Sequence, residues 1–209
     1  LSRSVARPVR TVLAACGLAL APVMAQSPST LDGFDPDVDG NVYAVATQPD
    51  GKVIVAGQFS TIGGAARSNL ARLNSDGTVD ASFNPVANQP VRALLVQRDG
   101  RIVIGGDFTT LQPGGSGATT TRNRLARLNA NGTVDAAFNP NVGGSLQPQV
   151  FALLLQTDGK IVAGGSFTTV QSNGAATAVS RNYVARFNAD GSLDPAFDPN
   201  PNGFVLALA

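Results

Sequence analysis

The 209-residue sequence predicts an all-β protein, a tandem array of four-stranded antiparallel units of which three are complete. Three observations carry that expectation. One residue frame recurs three times, each copy holds two Asp-Gly or Asn-Gly turns between β-rich runs, and the second run of each copy is apolar without alternation.

The frame opens with Val42 to Gly51 and returns as Val91 to Gly100 and Val150 to Gly159, each ending in Gln-x-Asp-Gly. A basic residue, an apolar run, a small pair and a phenylalanine follow, as Lys52 to Phe59, Arg101 to Phe108 and Lys160 to Phe167. After a loop of variable length come Arg67 to Asn74, Arg122 to Asn129 and Arg181 to Asn188, on the pattern Arg-x-x-apolar-Ala-Arg-apolar-Asn. A second turn (Asp76-Gly77, Asn131-Gly132, Asp190-Gly191) leads to a closing strand such as Thr78 to Pro85. Glycine after aspartate or asparagine supplies the positive φ of a tight turn, so each copy reads as two hairpins.

The second strand decides how the units assemble. Ile102 to Gly106 is apolar at every position, which a sheet packed on both faces produces and a sheet with one wet face does not. Stacked propeller blades give that double burial. The recurring phenylalanines (Phe59, Phe108, Phe167; Phe83, Phe138, Phe197) are expected between blades. Arg72, Arg127 and Arg186 recur inside the third strand and are expected to pair with a carbonyl or aspartate of the adjacent unit, with Asp80, Asp135 and Asp194 as candidate partners. Gly105-Gly106 and Gly164-Gly165 read as close backbone approach, because no helix pattern follows to make them a phosphate cradle.

The expected organisation is a signal peptide at 1–25, a connector with the last strand of a preceding blade at 26–41, blades at 42–90, 91–149 and 150–203, and the first strand of a truncated blade at 204–209. The leader carries Arg3, Arg7 and Arg10, an apolar stretch from Thr11 to Ala21 and small residues before Gln26, which predicts export to the periplasm, cell surface or medium. Leu13-Ala14-Ala15-Cys16 offers a lipoprotein anchor as a minor alternative. No later segment has the roughly 18 to 20 apolar residues of a membrane-spanning helix. Three units fall short of the roughly four to eight blades from which propellers close, so an open arc, or the fragment of a longer chain, is expected.

The recurring pattern resembles the bacterial delta-60 repeat over Val42 to Pro199, with partial copies at Leu31 to Pro36 and Phe204 to Ala209. The first unit departs from it with Ala56-Gly57 in place of Gly-Gly. The resemblance implies a β-propeller-like fold in exported or cell-surface bacterial proteins, and it implies no catalytic residues.

Composition narrows the function. There are 15 basic and 14 acidic residues, three of the arginines lie in the leader, and the rest of the chain is slightly acidic, which gives nucleic acid nothing to bind. Every acidic residue is aspartate, histidine is absent and the single cysteine is Cys16, so no enzyme and no cofactor are expected. The inventory leaves Lys52, Lys160, Tyr43, Tyr183 and aspartates for catalysis, and the lysines, placed in tight turns, are expected in solvent.

In a four-stranded meander the Asp-Gly turns share one face, and the loops Ser60 to Ala66, Thr109 to Thr121 and Thr168 to Ser180 share the other. Rich in Gly, Thr, Ser, Gln and Asn, these loops suit a protein or glycan partner at the cell surface. The expected role is an interaction scaffold; a structural spacer of a larger surface protein is the alternative, and a propeller hydrolase or lyase ranks behind both. One metal-like feature stands apart: Asp35, Asp37, Asp39 and Asn41 have the oxygen-rich spacing that opens a calcium loop, although Ala46 occupies the position of its bidentate glutamate. An inter-blade turn is the competing reading.

Overall fold

In the computed structural model the described residues are 36–144, 146–173 and 175–209. The predicted leader and Asp35 lie outside them. The first blade runs β1 (Asn41–Thr47), β2 (Val53–Gln58), β3 (Thr61–Ile62), β4 (Ala65–Ala66) and β5 (Leu70–Leu73). The second runs β6 (Pro85–Ala87), β7 (Val91–Val96), β8 (Ile102–Gly106), β9 (Thr110–Pro113), β10 (Thr120–Thr121) and β11 (Leu125–Leu128). The third runs β12 (Asn141–Gly143), β13 (Val150–Leu155), β14 (Ile161–Gly165), β15 (Thr169–Gln171), β16 (Val179–Ser180) and β17 (Val184–Phe187).

The blade bodies are the antiparallel sheets β1-β2-β5, β7-β8-β11 and β13-β14-β17. The fourth strand of the frame shrinks to one bridge per blade: Leu73 with Val79, Leu128 with Val134 and Phe187 with Leu193. The chain is therefore an all-β, open, β-propeller-like array of small antiparallel sheets, with β7 lying between β1 and β13.

Both turns of each blade form as the glycines require. In the first blade Gly51 N donates to Gln48 O and Gln48 N to Lys52 O, with Gly51 at φ 81. This is a type I turn closed by a glycine bulge, and Asp50 Oδ1 fastens it by accepting from Lys52 N.

The core explains the unbroken apolar second strand. Ile102 and Ile104 belong to a cluster shared with Ile54, Leu70 and Phe83 of the first blade, while Val103 between them belongs to a cluster with Val150, Ile161 and Phe167 of the third. Successive side chains of β8 thus enter two different inter-blade cores, and the whole strand is buried. Each such aliphatic side chain contributes roughly 1.5–3 kcal/mol of burial.

The glycine pair that ends β8 serves two close approaches. A Cβ on Gly105 would come within 2.5 Å of Val150 Cγ1 in the next blade's first strand, and one on Gly106 would overlap the Pro90 carbonyl oxygen. The second contact lies beside the register shift between Val91 and Ala93, a bulge that β1 and β13 repeat at Val42/Ala44 and Val150/Ala152.

Two expectations need correction. The segments expected as variable loops are folded: β3 pairs with β4, β9 with β6 and β10, and β15 with β12 and β16, so on this face the inter-unit connections become strands. Lys52 and Lys160 are not splayed into solvent, because each bends back onto a carboxylate, Asp80 at 2.6 Å and Asp194 at 2.8 Å. Residues 204–209 form no ladder but run beside the third blade as β13 runs beside the second: Val205 packs on Gly164 as Val150 does on Gly105, and Val205 N donates to Gly165 O.

Candidate functional site

The face opposite the Asp-Gly turns gathers the short hairpins and the ends of the first two strands of every blade. Its hairpins are pinned by side chains that precede each first strand. Asp39 Oδ1 accepts from Ser60 N at 2.8 Å and Thr61 N at 3.0 Å, and Asp39 Oδ2 accepts from Ser60 Oγ. In the second blade Asn88 Oδ1 accepts from Thr109 N and Thr110 N, and its amide donates to Thr109 Oγ1 at 2.9 Å. The third blade replaces the clip with Thr168 N donating to Gly143 O and Ser166 Oγ donating to Gln147 O.

The proposed calcium ligands distribute accordingly. Asp37 sits in the left-handed region at φ 39, Asn41 opens β1, and both Asp39 oxygens already serve the clip. The Ser60 hydroxyl, with the Thr61 and Ser60 amides, holds the Asp39 carboxyl well below the usual carboxylate range. Asp35, the fourth of the set, lies outside the described residues.

A second set of residues on this face varies inside an otherwise repeated frame. The position after the opening valine of the first strand is Tyr43, Arg92 and Phe151, and the position before the second-strand phenylalanine is Gln58, Asp107 and Ser166. The bulged register of the first strands brings these positions together. Tyr43 donates its hydroxyl hydrogen to Gln58 Oε1 at 3.1 Å, and Arg92 makes a bidentate pair with Asp107, both bonds 2.7 Å. The Arg92 guanidinium also lies 5.3 Å from the Tyr43 ring and 5.7 Å from the Phe151 ring, so one cation bridges two blades. The Asp107 bond raises the Arg92 pKa against the burial that opposes it.

Tyr43, Arg92 and Phe151 stand at one end of a groove of about 880 Å³ that the first strands line along their length. Beyond them its walls are aliphatic, with Leu94, Leu154 and Leu206 among them. The sequence expectations on the loops overlooked this ring of residues. The signal that finds it is the difference among the three copies at positions where strand and frame length stay fixed.

On the opposite face each blade builds the same ion cluster. Asp80 Oδ2 meets Lys52 Nζ at 2.6 Å and Arg72 Nε at 2.9 Å, Asp135 Oδ2 meets Arg127 Nε at 2.8 Å and Arg101 at 3.7 Å, and Asp194 Oδ2 meets Lys160 Nζ at 2.8 Å and Arg186 at 2.9 Å. The aspartate partner is in the arginine's own blade, and the adjacent blade supplies a carbonyl, Ala130 O for Arg72 and Ala189 O for Arg127. Burial pushes the Asp80 carboxyl up, but the bonds from Lys52 and Ser82 and the Arg72 charge outweigh it and hold the group low. For Asp194 the Lys160 bond is the largest influence, and the carboxyl is held down to about 2. Among the described residues no group of three metal-binding side chains is present, and no helix is long and apolar enough to cross a membrane.

Repeated three-stranded sheets, first strands lining a shared groove and inter-blade cores together define a β-propeller repeat protein. A family model described as a beta-propeller domain of unknown function, DUF5122, matches residues 48–83, 97–138 and 156–197, one match per blade. The chain belongs to this delta-60-like β-propeller family. No curated protein matches it.

Proposed function

We propose that this chain is an exported, non-catalytic interaction scaffold that engages a protein or glycan partner through the hairpin face. The observation that carries the reading is the contrast between a repeated frame and what it displays there. Three like blades present one short and two longer hairpins of differing sequence and a ring of unlike side chains, Tyr43, Arg92 and Phe151, at the groove mouth. A rigid support with variable segments on one face is the usual architecture of recognition.

The carboxylates support a role without catalysis. The three clustered aspartates are saturated by lysine, arginine and backbone donors and are held low, whereas a general acid needs a carboxyl raised toward the working pH. Tyr43 and Arg92 are tied into pairs within the fold.

The test exchanges the Thr109–Thr121 segment for the shorter Ser60–Ala66 segment and compares binding to the outer surface of bacterial cells and to a glycan panel. The expected result is loss of binding with an unchanged far-UV spectrum. A variant that keeps both its fold and its binding profile removes the hairpin face from consideration. N-terminal sequencing of the secreted product, with cleavage expected before Gln26, tests export separately.

A further inference from the structure

Five of the six frame turns carry aspartate before their glycine, and the second turn of the second blade carries asparagine, Asn131 before Gly132. That pair has a chemistry of its own. The glycine amide nitrogen, with no Cβ beside it to hinder approach, can attack Cγ of the preceding asparagine, so that a C–N bond closes a five-membered succinimide and ammonia leaves. Water then opens the ring at either carbonyl. The product is aspartate, or isoaspartate in which the main chain runs through the side-chain carbon. An ionised aspartate resists the same attack, which sets this turn apart from the other five.

The folded turn keeps the two reacting groups apart. Gly132 N donates to Asn129 O at 2.9 Å, which commits the nucleophile to closing the turn. Asn131 Oδ1 accepts from Thr133 N at 3.0 Å and from Thr133 Oγ1 at 2.7 Å, which ties the side chain to the residue beyond the glycine. The first blade then clamps the turn from outside. A Cβ on Gly132 would stand 2.9 Å from the Phe83 ring, Ala130 O accepts from Arg72 Nη1 at 2.5 Å, and Gly132 is buried although Asn131 is exposed. Ring closure therefore needs the turn to lift off Phe83.

We propose that Asn131 is a site of spontaneous deamidation gated by the joint between the first two blades, shut while Phe83 and Arg72 hold the turn and open whenever that joint opens. This goes beyond the recognition role of the hairpin face, because the site lies on the turn face and its chemistry needs only water. Every group in the gate belongs to the first two blades, from Arg72 to Thr133.

The two products act on the joint in opposite ways. Asp76 and Asp190, at the same place in the other blades, accept the same pair of bonds, from Thr78 and from Ser192. Aspartate at 131 thus keeps the turn. Isoaspartate adds one carbon to its main chain, which draws Gly132 and the Ala130 carbonyl away from Phe83 and Arg72 and holds the joint open.

Peptide mapping by mass spectrometry on the 209-residue chain, incubated at mildly alkaline pH with and without denaturant, is the test. The mass gain and the isoaspartyl linkage are read at Asn131 separately from Asn173 and Asn202, the other asparagines that precede glycine. The expected result is ready conversion of Asn131 in denaturant and a rate at least about tenfold lower in the folded chain. Phe83→Leu and Thr133→Val each raise the folded rate severalfold, the first by loosening the clamp and the second by releasing the side chain. Phe138→Leu loosens the next joint instead, where Phe138 packs on Gly191, and leaves Asn131 at the wild-type rate. Circular dichroism at the incubation temperature confirms that each variant is folded. Equal rates with and without denaturant, no conversion of Asn131 in denaturant, folded Phe83→Leu and Thr133→Val variants that convert no faster than wild type, or a rise in Phe138→Leu equal to that in Phe83→Leu overturns the proposal.

Discussion

The two faces of the array are built by opposite rules. On the turn face the three blades repeat one another nearly atom for atom: the same aspartate, the same arginine stacked on the same phenylalanine at 4.5, 4.5 and 4.6 Å, the same glycine at positive φ. On the hairpin face the blades diverge: the clip and the groove-mouth residue change, and the first blade's hairpin is shorter than the other two. Where one side chain must satisfy its own blade and its neighbour at once, few substitutions serve. Where its contacts are part-exposed, as those of Arg92 are, many do. The turn face therefore carries stability, and the hairpin face is free to vary.

The largest expected effect tests that division directly. Arg127 is 4% exposed, bonds Asp135 and the next blade's Ala189 carbonyl, and stacks on Phe138. Arg127→Met keeps the aliphatic stem but leaves Asp135 with the Ala137 amide and the longer contact to Arg101, and the expected loss is about 3 kcal/mol by chemical denaturation. A loss below 1 kcal/mol would show that the ion cluster is decoration and the division of labour wrong.

Acid acts on the same three clusters together. Asp80, Asp135 and Asp194 are held below their ordinary values, so the unfolded chain takes up protons before the folded one does. Their stabilisation is complete above the unfolded carboxylate value of about 3.9 and is lost as pH falls through the folded ones. The Tm is expected to be flat above about pH 5 and to drop most steeply between about pH 4 and 2. In Asp80→Asn the plateau is lower and the acid drop shallower. An unchanged acid slope in that variant would place the pH sensitivity elsewhere.

A smaller effect is expected on the hairpin face. The Arg92 and Asp107 side chains are 29% and 18% exposed, and solvent screens their pairing. Arg92→Met is expected to cost about 1 kcal/mol or less and to alter partner binding by more than it alters melting. A loss as large as that of Arg127→Met would erase the contrast between the faces.

What the residues disclosed follows the same line. The turns, the doubly buried second strand and the inter-blade phenylalanines were legible because glycine geometry and burial on both faces each leave a local mark, as Asp99-Gly100 and Ile102 to Gly106 show. The folded hairpins were not, because β3, β4, β10 and β16 are two-residue strands, too short to leave a periodicity to read. Lys52 was expected in solvent since its turn is exposed, yet its long side chain reaches Asp80, far along the sequence. The groove-mouth ring of Tyr43, Arg92 and Phe151 was visible in principle, but only to a reading that asks where the copies differ.

The smallest effect concerns a backbone feature that residue type conceals. The residue before each third strand is left-handed, at φ 66 for Asn69, 64 for Arg124 and 63 for Tyr183. The kink is structural, since its carbonyl accepts from the second-strand glycine and its amide bonds the carbonyl of the phenylalanine beyond, as Gly106 N to Arg124 O and Arg124 N to Phe108 O. Asparagine adopts this conformation readily, whereas other side chains pay about 1 kcal/mol for it. Arg124→Asn removes that strain and also removes the bond from Arg124 Nε to Pro148 O, at 3.2 Å a modest one. The net expectation is a gain below about 1 kcal/mol, read as a rise in Tm of a degree or two. A fall in Tm would mean that the arginine's reach to Pro148 outweighs its backbone strain, and that the second blade, like its neighbours, fits its kink residue to its own surroundings.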